Sequence, residues 1–137
     1  MQISRDSRTL YQRIGGEGKL RQLVRRFYHH MHALPDSQII RHMHPADLTV
    51  SENKLFMFLS GWMGGPSLYI ESFGHPRLRM RHHNFAIGES ERDQWMLCMR
   101  HALDETVDDQ ILRDQLYEAL FAVADFMRNQ NSQDNEP

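Results

Sequence analysis

Apolar residues recur at helical intervals along almost the whole chain. Leu20, Leu23, Val24, Phe27, Tyr28 and Met31 follow the i, i+3, i+4, i+7 rule, which predicts an amphipathic helix over 17–33. Gly15-Gly16 separates it from a short helix around 8–13, and Pro35 closes it. A turn-like segment, 37–43, leads to Pro45. Leu55, Phe58, Leu59 and Trp62 predict a helix over 49–63, with Thr49 or Ser51 as its cap and Gly64-Gly65-Pro66 as its stop. Trp95, Cys98, Met99 and Ala102 share one face of a helix that opens near Glu89-Ser90. After Asp108-Asp109, a last helix is expected to bury Leu112, Leu116, Ala119, Leu120, Val123 and Phe126. No strand-like alternation and no repeat interrupts this pattern. The predicted class is all-α, with one domain over 1–129 and a polar tail over 130–137 that frays.

One stretch breaks the periodicity. Residues 66–88 hold Gly74, Pro76 and Gly88, and read as loop with one or two helical turns. Four long helices can close a bundle around their own side chains. Here a loop stands where the fourth would run, so a cavity walled by Tyr28, Leu55, Phe58 and Trp95 is expected to open toward it.

Composition narrows the classes. With 40% apolar and 25% charged residues, the chain of 137 has the make-up of an ordinary globular domain. Its net charge of −2 argues against nucleic acid as a main partner. Cys98 is the single cysteine, which excludes a disulfide within the chain and fits a reducing cytoplasm. The opening "MQISRDSRTL" lacks the apolar stretch of a signal peptide, and no apolar run approaches the roughly 18 residues of a membrane span. A cytoplasmic location is therefore expected. Nine histidines and nine methionines stand out. Methionine fills irregular pockets, and histidine serves as metal ligand, proton carrier or surface residue.

The loop contains "RLRMRHHNF", residues 77–85, where two histidines follow a cationic run. Taken alone, His82 and His83 are either ligands for a metal or solvated side chains. Their surroundings decide. The segments "LYQRIGGEGKLRQLVRRFYHHM", "MHPADL", "KLFMFLSGWMGGPSLY" and "GHPRLRMRHHNFAIGESERDQWMLCM" together resemble the group II truncated haemoglobins, the bacterial 2-over-2 globins, over about residues 10–103. The GGP turn, followed by "GHPRLRMRH" and then a tryptophan, is the specific part of the match.

The resemblance implies a shortened globin fold, two helices over two around a haem b, with the proximal helix reduced to a loop and a short turn. It assigns His82 as the proximal iron ligand, since neutral imidazole suits haem iron and its second nitrogen can be fixed by a carbonyl or water. His83 then points outward. Arg81 and Lys54 become partners for the anionic propionates, Arg81 the better of the two, though a solvated surface lysine describes Lys54 equally well. Leu55, Phe58, Leu59, Met80, Phe85 and Ile87 line the haem. Trp95 stands over the distal side, where its indole N–H can reach a bound ligand. As residues alone, Trp95 is plain core, and the Tyr28 hydroxyl needs a buried partner, either a bound ligand or the backbone. His44 can donate to the ligand, bond to Tyr28 or approach the iron as a sixth ligand. Ser51, small at a distal position, leaves room for ligand entry. His75 is expected to be structural or exposed, and Cys98 a buried apolar filler.

Three functions follow. The first is a haem protein that binds dioxygen, nitric oxide and carbon monoxide. Several distal donors would make it a poor vehicle for oxygen transport and a better ligand trap, sensor or redox catalyst. The second is an enzyme that uses the same haem to oxidise nitric oxide or to handle peroxide, served by a reductase. The third is a non-haem helical interaction module with many surface histidines.

Overall fold

The structure is a computed structural model, and it describes residues 7–82 and 85–129, with Arg79 described by its backbone alone. The described residues form eight α-helices: α1 (Leu10–Ile14), α2 (Glu17–Ala33), α3 (Gln38–His42), α4 (Thr49–Trp62), α5 (Leu68–Phe73), α6 (Leu78–Arg81), α7 (Glu89–Thr106) and α8 (Gln110–Phe126), with a 3₁₀ turn at Pro35–Ser37 before α3. Among the described residues there is no strand, as the absence of alternation predicts. No helix among them is long and apolar enough to cross a membrane.

Local chemistry sets the helix ends. Thr9 accepts from the Gln12 N–H, while the Gln12 side chain accepts from the Thr9 N–H, and this reciprocal cap starts α1. Gly15, at φ 113°, ends it in the left-handed conformation that glycine adopts without strain. The Asp109 carboxylate accepts from the N–H groups of Ile111 and Leu112 at the start of α8. At α4 the expected cap is corrected. Neither Thr49 nor Ser51 caps it; Leu48 occupies the N-cap, and the Asp47 carboxylate accepts from the Thr49 N–H at 2.9 Å.

Four helices form two layers. α2 lies along α4, α7 along α8, and α2 packs most extensively across α7. The buried stripe of α2 is Leu20, Leu23, Val24, Phe27, Tyr28 and Met31, the set its periodicity predicts. It meets Met96, Cys98, Met99, Ala102 and Leu103 of α7, with Leu112, Leu116, Leu120 and Ala124 of α8 behind them. Phe126 is corrected: it is 59% exposed. The buried stripe of α8 advances by fours to Ala124, and two further residues turn Phe126 by about 200° to the solvent side.

The irregular segment forms α5 and the single turn α6, between the GGP stop and Gly88. This is the loop with one or two helical turns that the glycines and proline predict. The tail over 130–137 and the outward His83 fall outside the described residues.

Candidate functional site

A cavity of about 540 Å³ opens between the layers, within the range of roughly 300–1,000 Å³ typical of small-molecule sites. Tyr28 of α2, Leu55, Phe58 and Leu59 of α4, Trp95 of α7, and Leu120, Val123 and Ala124 of α8 form its apolar walls. On the side of the irregular segment it is walled by Tyr69, Leu78, Arg81, His82, Phe85 and Ile87. Helical spacing explains this wall. Leu78, Arg81 and His82 stand at i, i+3 and i+4 and share one side of α6. Met80, two residues from both Leu78 and His82, falls on the opposite side; it is 54% exposed and does not line the cavity, against its expected lining role.

His82 is half-buried, and its Nδ1 lies 2.7 Å from the Leu78 carbonyl oxygen. A carbonyl only accepts, so Nδ1 carries the proton and donates. In the neutral ring, Nε2 then bears a lone pair. His44 repeats the arrangement: its Nδ1 donates to the Ile40 carbonyl at 2.8 Å, again four residues back. Burial, reinforced by the charge of Arg41, holds the His44 pKa below its ordinary value despite that bond. His44 is thus neutral at neutral pH, with Nε2 as an acceptor.

Tyr28 lies beside it, its ring 5.8 Å from the His44 ring in an edge arrangement. The phenol donates to the Ser51 backbone carbonyl at 3.3 Å, a long bond, so the backbone partner weighed from sequence is the one present. Burial first, and then the charge of Glu52, push its pKa well above the ordinary 10, and the hydroxyl stays protonated. Trp95 is half-buried against Phe27, ring centroids 4.9 Å apart. Among the described residues its indole N–H has no hydrogen-bond partner, in a ring that lines the cavity. Ser51 also lines it.

Two cations mark the mouth. Lys54 is exposed, with Nζ 5.4 Å over the Phe73 ring. Arg81 is exposed, with its Nε donating to the Pro76 carbonyl at 2.7 Å. Both border the cavity, where they can meet the carboxylates of a bound group. Arg92 lines it as well, paired with Asp125 at 2.8 Å. His75 is exposed and accepts from the Arg77 N–H at 3.1 Å. It thereby supports Arg77 at a φ of 46°, unusual for a side-chain-bearing residue. Cys98 is fully buried.

Sequence reasoning missed Leu78, Tyr69, Arg92 and the α8 wall. Leu78 was within reach, since it stands four residues before His82. The α8 residues were read as core, and periodicity alone cannot separate a core face from a cavity face.

Residues 9–129 match the family of bacterial-like globins. The chain is 38% identical over 115 residues to group 2 truncated hemoglobin YjbI of Bacillus subtilis (strain 168), covering 84% of this chain and 85% of that one. Among solved structures, it superposes on the group II 2-on-2 hemoglobin of the plant pathogen Agrobacterium tumefaciens with a TM-score of 0.87 at 45% identity, covering 93% of this chain and 99% of that one. The cold-adapted truncated hemoglobin of the Antarctic bacterium Pseudoalteromonas haloplanktis TAC125 gives the same TM-score at 41% identity, covering 90% and 99%.

Proposed function

Since the chain belongs to the bacterial-like globins and resembles their group II truncated members throughout, we propose that His82 holds its haem and that Trp95, Tyr28 and His44 wall the space where a diatomic gas binds. Globins bind haem, usually haem b, and this replaces the non-haem reading of the sequence. When bound, the haem supplies an iron centre for dioxygen, nitric oxide or carbon monoxide.

The observation that carries the assignment is the orientation of His82. Its Nδ1–H is fixed on the Leu78 carbonyl, which holds the ring and leaves the Nε2 lone pair for a metal. Apolar walls and two bordering cations suit a flat apolar macrocycle that carries carboxylates. The other three polar residues, Tyr28, His44 and Trp95, have unequal parts. His44, with its proton committed to Ile40, can accept a hydrogen bond or offer a lone pair, but it does not donate to a gas in this tautomer. Trp95 has its N–H available. Tyr28 donates to a ligand only by leaving the Ser51 carbonyl, a long bond that is given up at small cost. Trp95 is therefore the first donor, Tyr28 a second held in reserve, and ligand retention rather than rapid release is the behaviour this arrangement favours.

Absorption spectra of the ferric, ferrous and carbon monoxide forms test the assignment. His82→Ala should alter the ferrous spectrum. It should also speed haem loss by more than the roughly 10–100-fold that removal of an outer partner of a metal ligand causes. An unaltered spectrum and an unaltered rate of loss would remove His82 from the iron.

A further inference from the structure

The wall that carries His82 is short of its own secondary structure. α6 is a single turn, and no helix or strand is formed by the described residues between it and α7. What holds that wall comes from a residue more than 40 positions further along the chain. Asn129, just past the end of α8, meets it at three residues. Its Nδ2 donates to the Phe85 carbonyl at 2.8 Å and, more weakly, to the His82 carbonyl at 3.4 Å. Its Oδ1 accepts from the Ile87 N–H at 2.9 Å, and its own N–H donates to the Ile87 carbonyl at 2.9 Å. One amide side chain thus uses both its donor and its acceptor ends on one stretch of backbone, and its main chain adds a fourth bond.

The anchor is itself fixed. Asp125, four residues earlier, accepts from Arg92 of α7 at 2.8 Å and from Arg128 at 2.7 Å. The end of α8 is therefore tied to the start of α7, and Asn129 extends that tie to the loop. On the other side of His82, the Leu78 carbonyl accepts both from its backbone N–H at 3.2 Å and from its ring at 2.7 Å. The imidazole stands between two supports, one inside α6 and one at the far end of the chain.

We propose that Asn129 is a positioning residue: by clamping Phe85, Ile87 and the His82 carbonyl to the end of α8, it sets the bearing of the His82 ring into the cavity. The role rests on His82 as the haem ligand. It is distinct from core packing, because Asn129 contributes hydrogen bonds to a loop and no apolar contact is needed for it.

The test uses the full-length chain, haem-loaded and haem-free, with Asn129→Ala and Asn129→Asp. In Asn129→Ala the Ile87 amide should exchange with solvent about tenfold faster, the ratio that follows from losing one neutral hydrogen bond. The iron–histidine stretching band of the ferrous haem-loaded protein should shift or broaden. Asn129→Asp keeps an acceptor for the Ile87 N–H but no donor for Phe85 and His82, so it should restore slow Ile87 exchange while leaving the band altered. An unchanged band in both variants would overturn the proposal. So would equal acceleration of all slow amides in α2 and α7, which would mean general destabilisation. The failure of its premise reads differently: a band that survives His82→Gly displaces His82 as ligand, while Ile87 exchange still decides whether Asn129 clamps the loop.

Discussion

At the scale of single residues, hydrogen-bond direction matters more than proximity. Tyr28, His44 and Trp95 all border the cavity, yet only the indole N–H is uncommitted among the described residues. Replacing Trp95 by Phe keeps most of the ring's bulk and removes that donor. The dioxygen dissociation rate should rise about ten- to a hundredfold, the range for losing a hydrogen bond to a partly charged acceptor. Stopped-flow displacement by carbon monoxide measures it, and an unchanged rate would move the donor role to Tyr28. From sequence, all three residues could be named as neighbours of one pocket. Their tautomers and partners could not, because those depend on carbonyls four residues back for His44 and 23 residues away in the chain for Tyr28.

Among the elements, glycine placement explains the sharp turn that aims α5 and α6. Gly65 packs so tightly on α1 that a Cβ there would stand 2.5 Å from the Tyr11 ring. The Tyr11 N–H donates to the Met63 carbonyl at 2.9 Å, so α1 is seated on the end of α4. Gly65→Ala should destabilise the fold by about 1–3 kcal/mol, the cost of overpacking, and lower the melting temperature by several degrees. Gly18→Ala is the contrast. It lies inside α2 with nothing within 4 Å of the added methyl, and should stabilise by about 0.5–1 kcal/mol. Thermal unfolding of the pair decides; a neutral Gly65→Ala would show that Tyr11 can move aside. The long helices were legible because each carries one continuous apolar stripe. α5 and α6 were legible only as one or two turns within a loop, without bounds, since four to six residues give too few turns for periodicity to register. The cap of α4 was misplaced because Asp47 bonds from outside the helix.

Across the whole molecule, the seam between α2 and α7 is also tied at the surface. Glu105 accepts two bonds from Arg26, at 2.9 and 3.0 Å, and a third contact from His30 at 2.8 Å, while His101 lies against the His30 ring. The Arg26 guanidinium, followed by His30, holds the Glu105 carboxyl down at about 2, against an ordinary 4.5. A carboxylate whose pKa is depressed on folding contributes stability above its unfolded pKa, and that contribution is lost as pH falls through the folded one. The window is therefore about pH 4.5 to 2. Acid unfolding followed by circular dichroism should be less steep in this window for Glu105→Gln than for the native chain. Parallel curves would mean that solvent screens this exposed cluster completely. The family could be read from sequence because the GGP turn and the "RLRMRHHNF" loop are specific. The cross-helix cluster could not, since Glu105 lies 75 residues from His30 and 79 from Arg26 along the chain.

The α8 wall has one more consequence. Leu120, Val123 and Ala124 line a hollow of about 540 Å³ where a bundle of this size would normally interdigitate. On the proposed reading, part of the hydrophobic interior is left to a tetrapyrrole that the polypeptide does not encode. By mass action, a free concentration a hundred times the dissociation constant adds about 2.7 kcal/mol, a large share of the roughly 5–15 kcal/mol that holds a domain folded. Haem added to the haem-free chain should accordingly slow its digestion by a protease.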